Sequence, residues 1–183
     1  VKPILYLVRA LPGGHFDRLA TTFDVRGGGA IPAPRAALLA EARDAEVLVT
    51  SYIDRVDEAL VAGLPRLRHL ASYGVGVNHL DLEACRRRGL LVTNTPGVVT
   101  EATAEHAVAL LLACARRIAE GDRVIRRGGW TAVDPAFLLG TGLDGKTLGV
   151  VGFGRIGQAV ARRAVAFGLS VIYAGPREVT FPG

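Results

Sequence analysis

Lys146-Thr147-Leu148-Gly149-Val150-Val151-Gly152-Phe153-Gly154-Arg155-Ile156-Gly157-Gln158-Ala159-Val160-Ala161 is the stretch on which the fold turns. An apolar run ends in G-x-G-x-x-G, and an apolar helical pattern begins at once. Each glycine has a mechanical task. Gly152 lets the chain turn sharply off a strand, Gly154 leaves room for a pyrophosphate against bare backbone, and Gly157 lets the helix lie close to the strand. The helix then directs unpaired N–H groups and its positive dipole end at the phosphates. In a chain with 23 glycines the motif alone is weak. Here both flanks fit, which favours a dinucleotide site over a plain tight turn. Val160, Ala164, Val165 and Phe167 are the expected inner-face residues of the helix. A second strand, Leu169 to Tyr173, follows Gly168.

Upstream, Thr100 to Glu120 reads as one long helix, with Thr100 as N-cap and Gly121 at the C′ position. Glu101 and Glu105 stand near its positive end and Arg116 and Arg117 near its negative end, as the macrodipole prefers. Its middle is apolar on every side, so it is expected to be buried all round, between domains or between subunits. Asp122 to Gly145 reads as a long irregular arm with Trp130 and Phe137 as anchors, the kind of segment that is usually functional or an interaction arm.

Residues 1 to about 95 read as repeated strand–helix units. Ile4 to Val8, Phe23 to Val25, Val47 to Thr50, Leu67 to Ser72 and Leu90 to Thr93 are the strands. Helices are expected at His15 to Ala20, at Arg35 to Arg43, from Asp54 as cap to Ala62, and from Asp81 as cap to Arg88, which Gly89 stops. Continuous apolar strands alternating with helices imply a parallel sheet covered on both faces. This part resembles a small doubly wound domain.

Composition bounds the function classes. The 183 residues are half hydrophobic, with a net charge of +5. The cations are nearly all arginine, Lys2 and Lys146 being the only lysines, and they are scattered. Arg86-Arg87-Arg88 is the longest basic run and has no interleaved aromatics, so solvated helix faces are expected rather than a nucleic-acid stripe. Cys85 and Cys114 lack metal-ligand or C-x-x-C spacing and are expected to be buried, reduced thiols. The longest apolar run, Ala107 to Ala115, is too short to span a bilayer. No metal site, no membrane association and a cytoplasmic setting are expected.

Five segments carry a resemblance to a family. They are Ser72-Tyr73-Gly74-Val75-Gly76-Val77-Asn78-His79-Leu80-Asp81, Val92-Thr93-Asn94-Thr95-Pro96-Gly97, Thr103-Ala104-Glu105-His106, Gly129-Trp130, and Gly145 to Gly157. In this order they resemble the D-isomer-specific 2-hydroxyacid dehydrogenases, the relatives of glyoxylate, hydroxypyruvate and phosphoglycerate dehydrogenases. The resemblance implies an α/β fold class. A flavodoxin-like substrate domain over residues 1–97 would be followed by the first part of a Rossmann dinucleotide-binding domain over residues 98–183. The two would face one another across a cleft, with Pro96 to Thr100 crossing between them. It also implies that the Val75 and Gly76 amides bind the substrate carboxylate, a role that suits small residues after a strand. Asn78 is expected to brace that loop. The implied cofactor-binding set is Thr103, Gly152, Gly154, Arg155, Ile156, Gly157 and Arg177. The apolar helix and the Trp130 arm resemble the family's homodimer interface.

Cofactor choice follows from the end of the second strand. An NAD site wants a carboxylate there for the ribose 2′-hydroxyl. The family's acidic position falls on Gly175, and Arg177 could pair with a 2′-phosphate. NADP(H) is therefore expected, with NAD possible because a small loop shift would bring Glu178 to the ribose. Family members use an arginine, a glutamate and a histidine for proton transfer and carbonyl polarisation. All three lie downstream of the matching region, so no catalytic residue is assigned, and His15, His69, His79 and His106 are not substitutes. Two cofactor-domain strands make an incomplete mononucleotide unit. The chain is thus expected to be the N-terminal part of a longer reductase of a small 2-keto acid, inactive by itself. The other readings are an NAD(H)-sensing, corepressor-like interaction protein and a nonfunctional truncated copy.

Overall fold

The computed structural model describes residues 1–181; Pro182 and Gly183, the last two positions of the expected second domain, lie outside the described residues. The chain divides into two compact units, Val1–Val98 and Val99–Gly183.

The first unit alternates strands and helices: β1 (Ile4–Leu7), α1 (Phe16–Ala20), β2 (Asp24–Gly27), α2 (Arg35–Glu41), β3 (Val47–Ser51), α3 (Glu58–Gly63), β4 (His69–Tyr73), α4 (Leu82–Arg87) and β5 (Leu91–Thr93). Every strand pair is parallel and the order is β2-β1-β3-β4-β5, the flavodoxin-like arrangement. Leu48 on β3 and Leu70 on β4 are fully buried on neighbouring strands, in register with one another. Leu60, Val61 and Leu64 from α3 and Ala84 and Cys85 from α4 join the same core. Apolar side chains on central strands must be covered, and short helices after each strand cover them.

Two helix starts follow from local chemistry. Asp81 caps α4, its carboxylate accepting from the Ala84 N–H at 2.9 Å, and Gly89 ends that helix region with φ +65°. The cap of α3 is Asp57, which accepts from the Leu60 N–H at 2.9 Å, and not the expected Asp54. Asp54 is engaged elsewhere. It accepts from the Ser51 N–H at 2.8 Å and takes a two-pronged ion pair from Arg9, with Nε to Oδ2 at 2.9 Å. This pair ties the segment after β1 to the turn after β3.

The second unit contains α5 (Thr100–Ala115), α6 (Ile118–Arg126), β6 (Thr147–Val151), α7 (Arg155–Ala166) and β7 (Ser170–Ala174). The expected single helix to Glu120 is two. The Ala115 carbonyl, which a continuing helix would bond to residue 119, instead accepts from the Thr141 N–H at 2.7 Å. Arg117 takes a left-handed conformation, φ +54°, and its guanidinium binds Glu120 at 2.8 Å. Val99 occupies the N-cap position, Thr100 is the first helical residue, and Gly121 lies inside α6. The irregular stretch therefore begins after Arg126. In the arm Trp130 is 59% exposed and Phe137 is also exposed.

On α7 the buried residues are Gly157, Ala159, Ala161 and Ala164; of the expected inner face only Ala164 is buried, while Val165 and Phe167 are exposed. Small side chains at those positions let the helix pack closely on its neighbours, and at Gly157 on β6. Arg163 binds Glu101 at 2.8 Å and Glu105 at 3.2 Å, joining α7 to the first turns of α5. β6 and β7 pair in parallel as a two-stranded sheet, with Val151 94% and Ile172 63% exposed on one face. Cys85 is buried, but Cys114 is exposed, because α5 buries only Ala104 and Val108 fully. Among the described residues no cluster of His, Cys, Asp and Glu could hold a metal ion, and no helix is long and apolar enough to cross a membrane.

Burial acts to raise the Asp54 carboxyl pKa, but the Arg9 hydrogen bonds, the Ser51 amide and the charge of Arg9 outweigh it, and the group sits below its ordinary value. A depressed folded pKa stabilises above the unfolded value and is lost as pH falls through the folded one. Asp54→Asn is expected to destabilise the protein by about 1–3 kcal/mol at neutral pH. The deficit should shrink once the pH drops below about 4. Urea denaturation of both proteins across that pH range measures it.

Candidate functional site

The carboxyl ends of parallel strands are where doubly wound sheets bind ligands. In the first unit these ends turn polar. Thr50, Ser51 and Ser72 are buried there, and the Thr50 hydroxyl has no hydrogen-bond partner among the described residues. Ser72 Oγ lies 3.1 Å from His79 Nε2. Burial holds His79 below its usual pKa despite nearby Asp54, so the imidazole is neutral at neutral pH. His69 is likewise lowered by burial and bonds Thr93 at 2.8 Å. Both rings are engaged with neighbouring hydroxyls.

β4 runs directly into Gly74-Val75-Gly76. The Asn94 side-chain amide donates to the Val75 carbonyl at 2.8 Å, and the Thr95 N–H donates to the Gly74 carbonyl at 3.0 Å. The brace of this turn is therefore Asn94, and not the expected Asn78, which lines a separate cavity beside His79 and Asp81. With its carbonyls tied back, the turn leaves the Val75 and Gly76 N–H groups without a backbone acceptor among the described residues. Val75 is exposed and nothing lies within 4 Å of where a Gly76 side chain would begin. Two adjacent unpaired amides in open space can receive a carboxylate.

The second unit holds the other candidate element. Gly152 turns the chain off β6 with φ +90° while its N–H donates to the Ala174 carbonyl at 2.8 Å. A Cβ on Gly157 would collide with the Gly152 carbonyl oxygen and come within 3.2 Å of Val150 Cγ1, so only glycine permits this approach of helix to strand. Nothing lies within 4 Å of a Cβ on Gly154. The N–H groups of residues 153 to 157 have no backbone acceptor among the described residues. Gly154, at the N-cap of α7, contributes no side-chain cap, and no acidic residue stands in the first turn. α3 and α4 differ, since an aspartate closes the N-terminus of each.

Beside these amides is a cavity of about 360 Å³ lined by Gly152, Phe153, Gly154 and Gln158 and, from the loop after β7, by Gly175, Pro176, Arg177 and Val179. It brings the glycine loop and the loop after β7 together. Arg155 and Ile156 form the first turn of α7 through their amides and do not line the cavity with side chains. Thr103 is exposed on the first turn of α5 and is not among the lining residues. Gln158 was not singled out from sequence; its side-chain amide donates to the Phe153 carbonyl at 3.1 Å and so stabilises the loop. Its only sequence signal is its place directly after the last glycine of the motif. The bare amides, the open space at Gly154 and Arg177 of the adjoining loop fit a dinucleotide diphosphate and its adenosine ribose.

A family model for the D-isomer-specific 2-hydroxyacid dehydrogenase catalytic domain matches residues 14–173. A glyoxylate reductase of Thermococcus litoralis is 44% identical over 178 residues, covering 94% of this chain and 54% of that protein. A crystal structure of a Thermus thermophilus protein superposes with a TM-score of 0.87 at 46% identity, over 97% of this chain and 58% of that one. A D-lactate dehydrogenase from Aquifex aeolicus, solved with NAD and lactic acid, gives a TM-score of 0.81 at 26% identity, over 96% and 52%. The chain spans about half the length of the curated relatives it matches.

Two glycine variants separate space from function. Gly154→Ala meets no atom and should leave thermal stability within about 0.5 kcal/mol, yet its methyl should weaken dinucleotide binding by about tenfold or more. Gly157→Ala meets backbone and should cost about 2 kcal/mol or more. Calorimetric melting and titration with the dinucleotide read the two effects independently.

Proposed function

The chain belongs to the D-isomer-specific 2-hydroxyacid dehydrogenase family, and on that premise we propose that it is part of an NADP(H)-dependent reductase of a small 2-keto acid, glyoxylate or hydroxypyruvate in kind. The observation that carries the reading is the uncovered row of amides at residues 153 to 157 beside the Arg177 loop. Residues 1–97 are the substrate domain in this reading, and residues 98–183 belong to the cofactor domain.

A bound nicotinamide supplies or takes up hydride at C4, exchanged with C2 of the acid. The residues of this chain bind and orient. The Val75 and Gly76 amides hold the carboxylate, which fixes the carbon to be reduced relative to its charged end. The amides of Gly154, Arg155, Ile156 and Gly157 hold the diphosphate, and Thr103 serves the nicotinamide end. Arg177 receives the 2′-phosphate, and the absence of a carboxylate at Gly175 removes the repulsion an NAD-type site would impose. Proton transfer and carbonyl polarisation fall to the family's arginine, glutamate and histidine, for which this chain has no matching positions. His69 and His79 are held by hydroxyl partners and kept neutral by burial, which suits a structural role.

The exposed apolar residues of α5, α6 and the arm, among them Leu110, Ile118, Ile125 and Trp130, support a homodimer through this surface. A cytoplasmic setting is part of the same reading.

The test is a spectrophotometric assay of the full-length protein with glyoxylate and hydroxypyruvate, following absorbance loss of NADPH and of NADH. Turnover with NADPH preferred is expected, and Arg177→Ala should erode that preference by about tenfold. The 183-residue chain by itself should turn over neither acid. Tight dinucleotide binding by the full-length protein without turnover of any 2-keto acid would favour a dinucleotide-sensing interaction protein instead.

A further inference from the structure

The loop after β7 is held by a side chain that does not line the cavity. Tyr173 Oη accepts from the Val179 N–H at 2.8 Å and donates to the Val179 carbonyl, 3.2 Å away. One hydroxyl thus closes residues 174 to 179 into a fixed loop, and Gly175, Pro176, Arg177 and Val179 of that loop line the cavity. The same ring stacks on Phe153 of the glycine loop, with centroids 4.2 Å apart and planes inclined by 14°. Phe153 is buried and meets Phe181 edge-on at 5.4 Å. Tyr173 therefore couples two loops: its face sets the position of the diphosphate loop and its hydroxyl sets the position of the loop that carries Arg177.

That coupling matters because neighbouring residues carry opposite charges. Arg177 suits a 2′-phosphate, whereas Glu178 suits a free 2′-hydroxyl. A shift of one residue along the loop exchanges one for the other at the same place. We propose that Tyr173 is a positioning residue for cofactor discrimination: by clamping both main-chain groups of Val179 it holds Arg177, and not Glu178, at the ribose 2′ end of the cavity. This rests on reading the cavity as a dinucleotide site. The clamp acts by preorganisation, since a loop already fixed loses less freedom when the phosphate arrives.

The experiment compares the full-length protein with Tyr173→Phe, which keeps the stacked ring and removes only the hydroxyl. Dissociation constants for NADPH and for NADH are measured by fluorescence titration, with thermal melting alongside. The expected result is a fall in the preference for NADPH over NADH of about three- to tenfold, the worth of one or two hydrogen bonds. Val179→Pro, which removes the N–H and leaves the ring, should move the ratio the same way. An equal weakening of both cofactors, or an unchanged ratio in both variants, overturns the clamp, and with the native protein still preferring NADPH the cofactor reading survives. A native protein that prefers NADH overturns the cofactor reading. In that case the assignment of Arg177 to the 2′ end falls with it. Absence of binding by either dinucleotide overturns both.

Discussion

A diphosphate can be held by main-chain amides only where no side chain stands between them and solvent, and only where those amides are not already bonded. The structure meets both conditions by packing α7 against β6 at Gly157, where a single added carbon would strike the Gly152 carbonyl. At the start of the same helix the N–H groups of residues 153 to 157 have no backbone acceptor among the described residues, and Gly154 faces open space. Small residues continue along the helix, with Ala159, Ala161 and Ala164 buried in the packing of α7 against its neighbours. The positive end of the helix then meets no acid of its own.

The first unit reaches a comparable result by a different route. Its strands are parallel and apolar through the middle, and they become polar at their carboxyl ends. The turn at Gly74 to Gly76 keeps its amides unpaired because Asn94 and Thr95 take up its carbonyls from the adjacent chain after β5. The Arg9–Asp54 pair fastens the segment after β1 to the turn after β3, at the carboxyl ends of those strands. In the proposed function, two sets of bare amides therefore receive two anions, a carboxylate and a diphosphate, one in each unit.

How far these features could be read beforehand depended on how local their causes are. The strand order β2-β1-β3-β4-β5 agrees with a doubly wound reading because apolar runs alternating with helices leave a parallel sheet few other arrangements. The tasks of Gly152 and Gly157 were legible because spacing within one motif dictates them. The helix after Thr100 was not, since its apolar pattern continues past Ala115 and nothing nearby in sequence interrupts it. The interruption comes from Thr141, whose N–H takes the Ala115 carbonyl. Asp54 and Asp57 both precede α3 and both could cap it. Arg9, about 45 positions away, decides between them by engaging Asp54.

Sequence by itself determined the alternation of elements, the α/β class and the two places where small residues leave backbone bare, because periodicity and glycine spacing act over a few residues. Tertiary structure alone decided which amides stay unpaired, where the long apolar helix breaks, which asparagine braces the Gly74 turn and how Tyr173 ties the loop after β7 to the glycine loop. Each of those is settled by contacts between segments that the sequence does not show to be neighbours, whether by competition for a hydrogen bond or, at Tyr173, by a ring stack on Phe153. The outcome exists only once folding has brought those segments together.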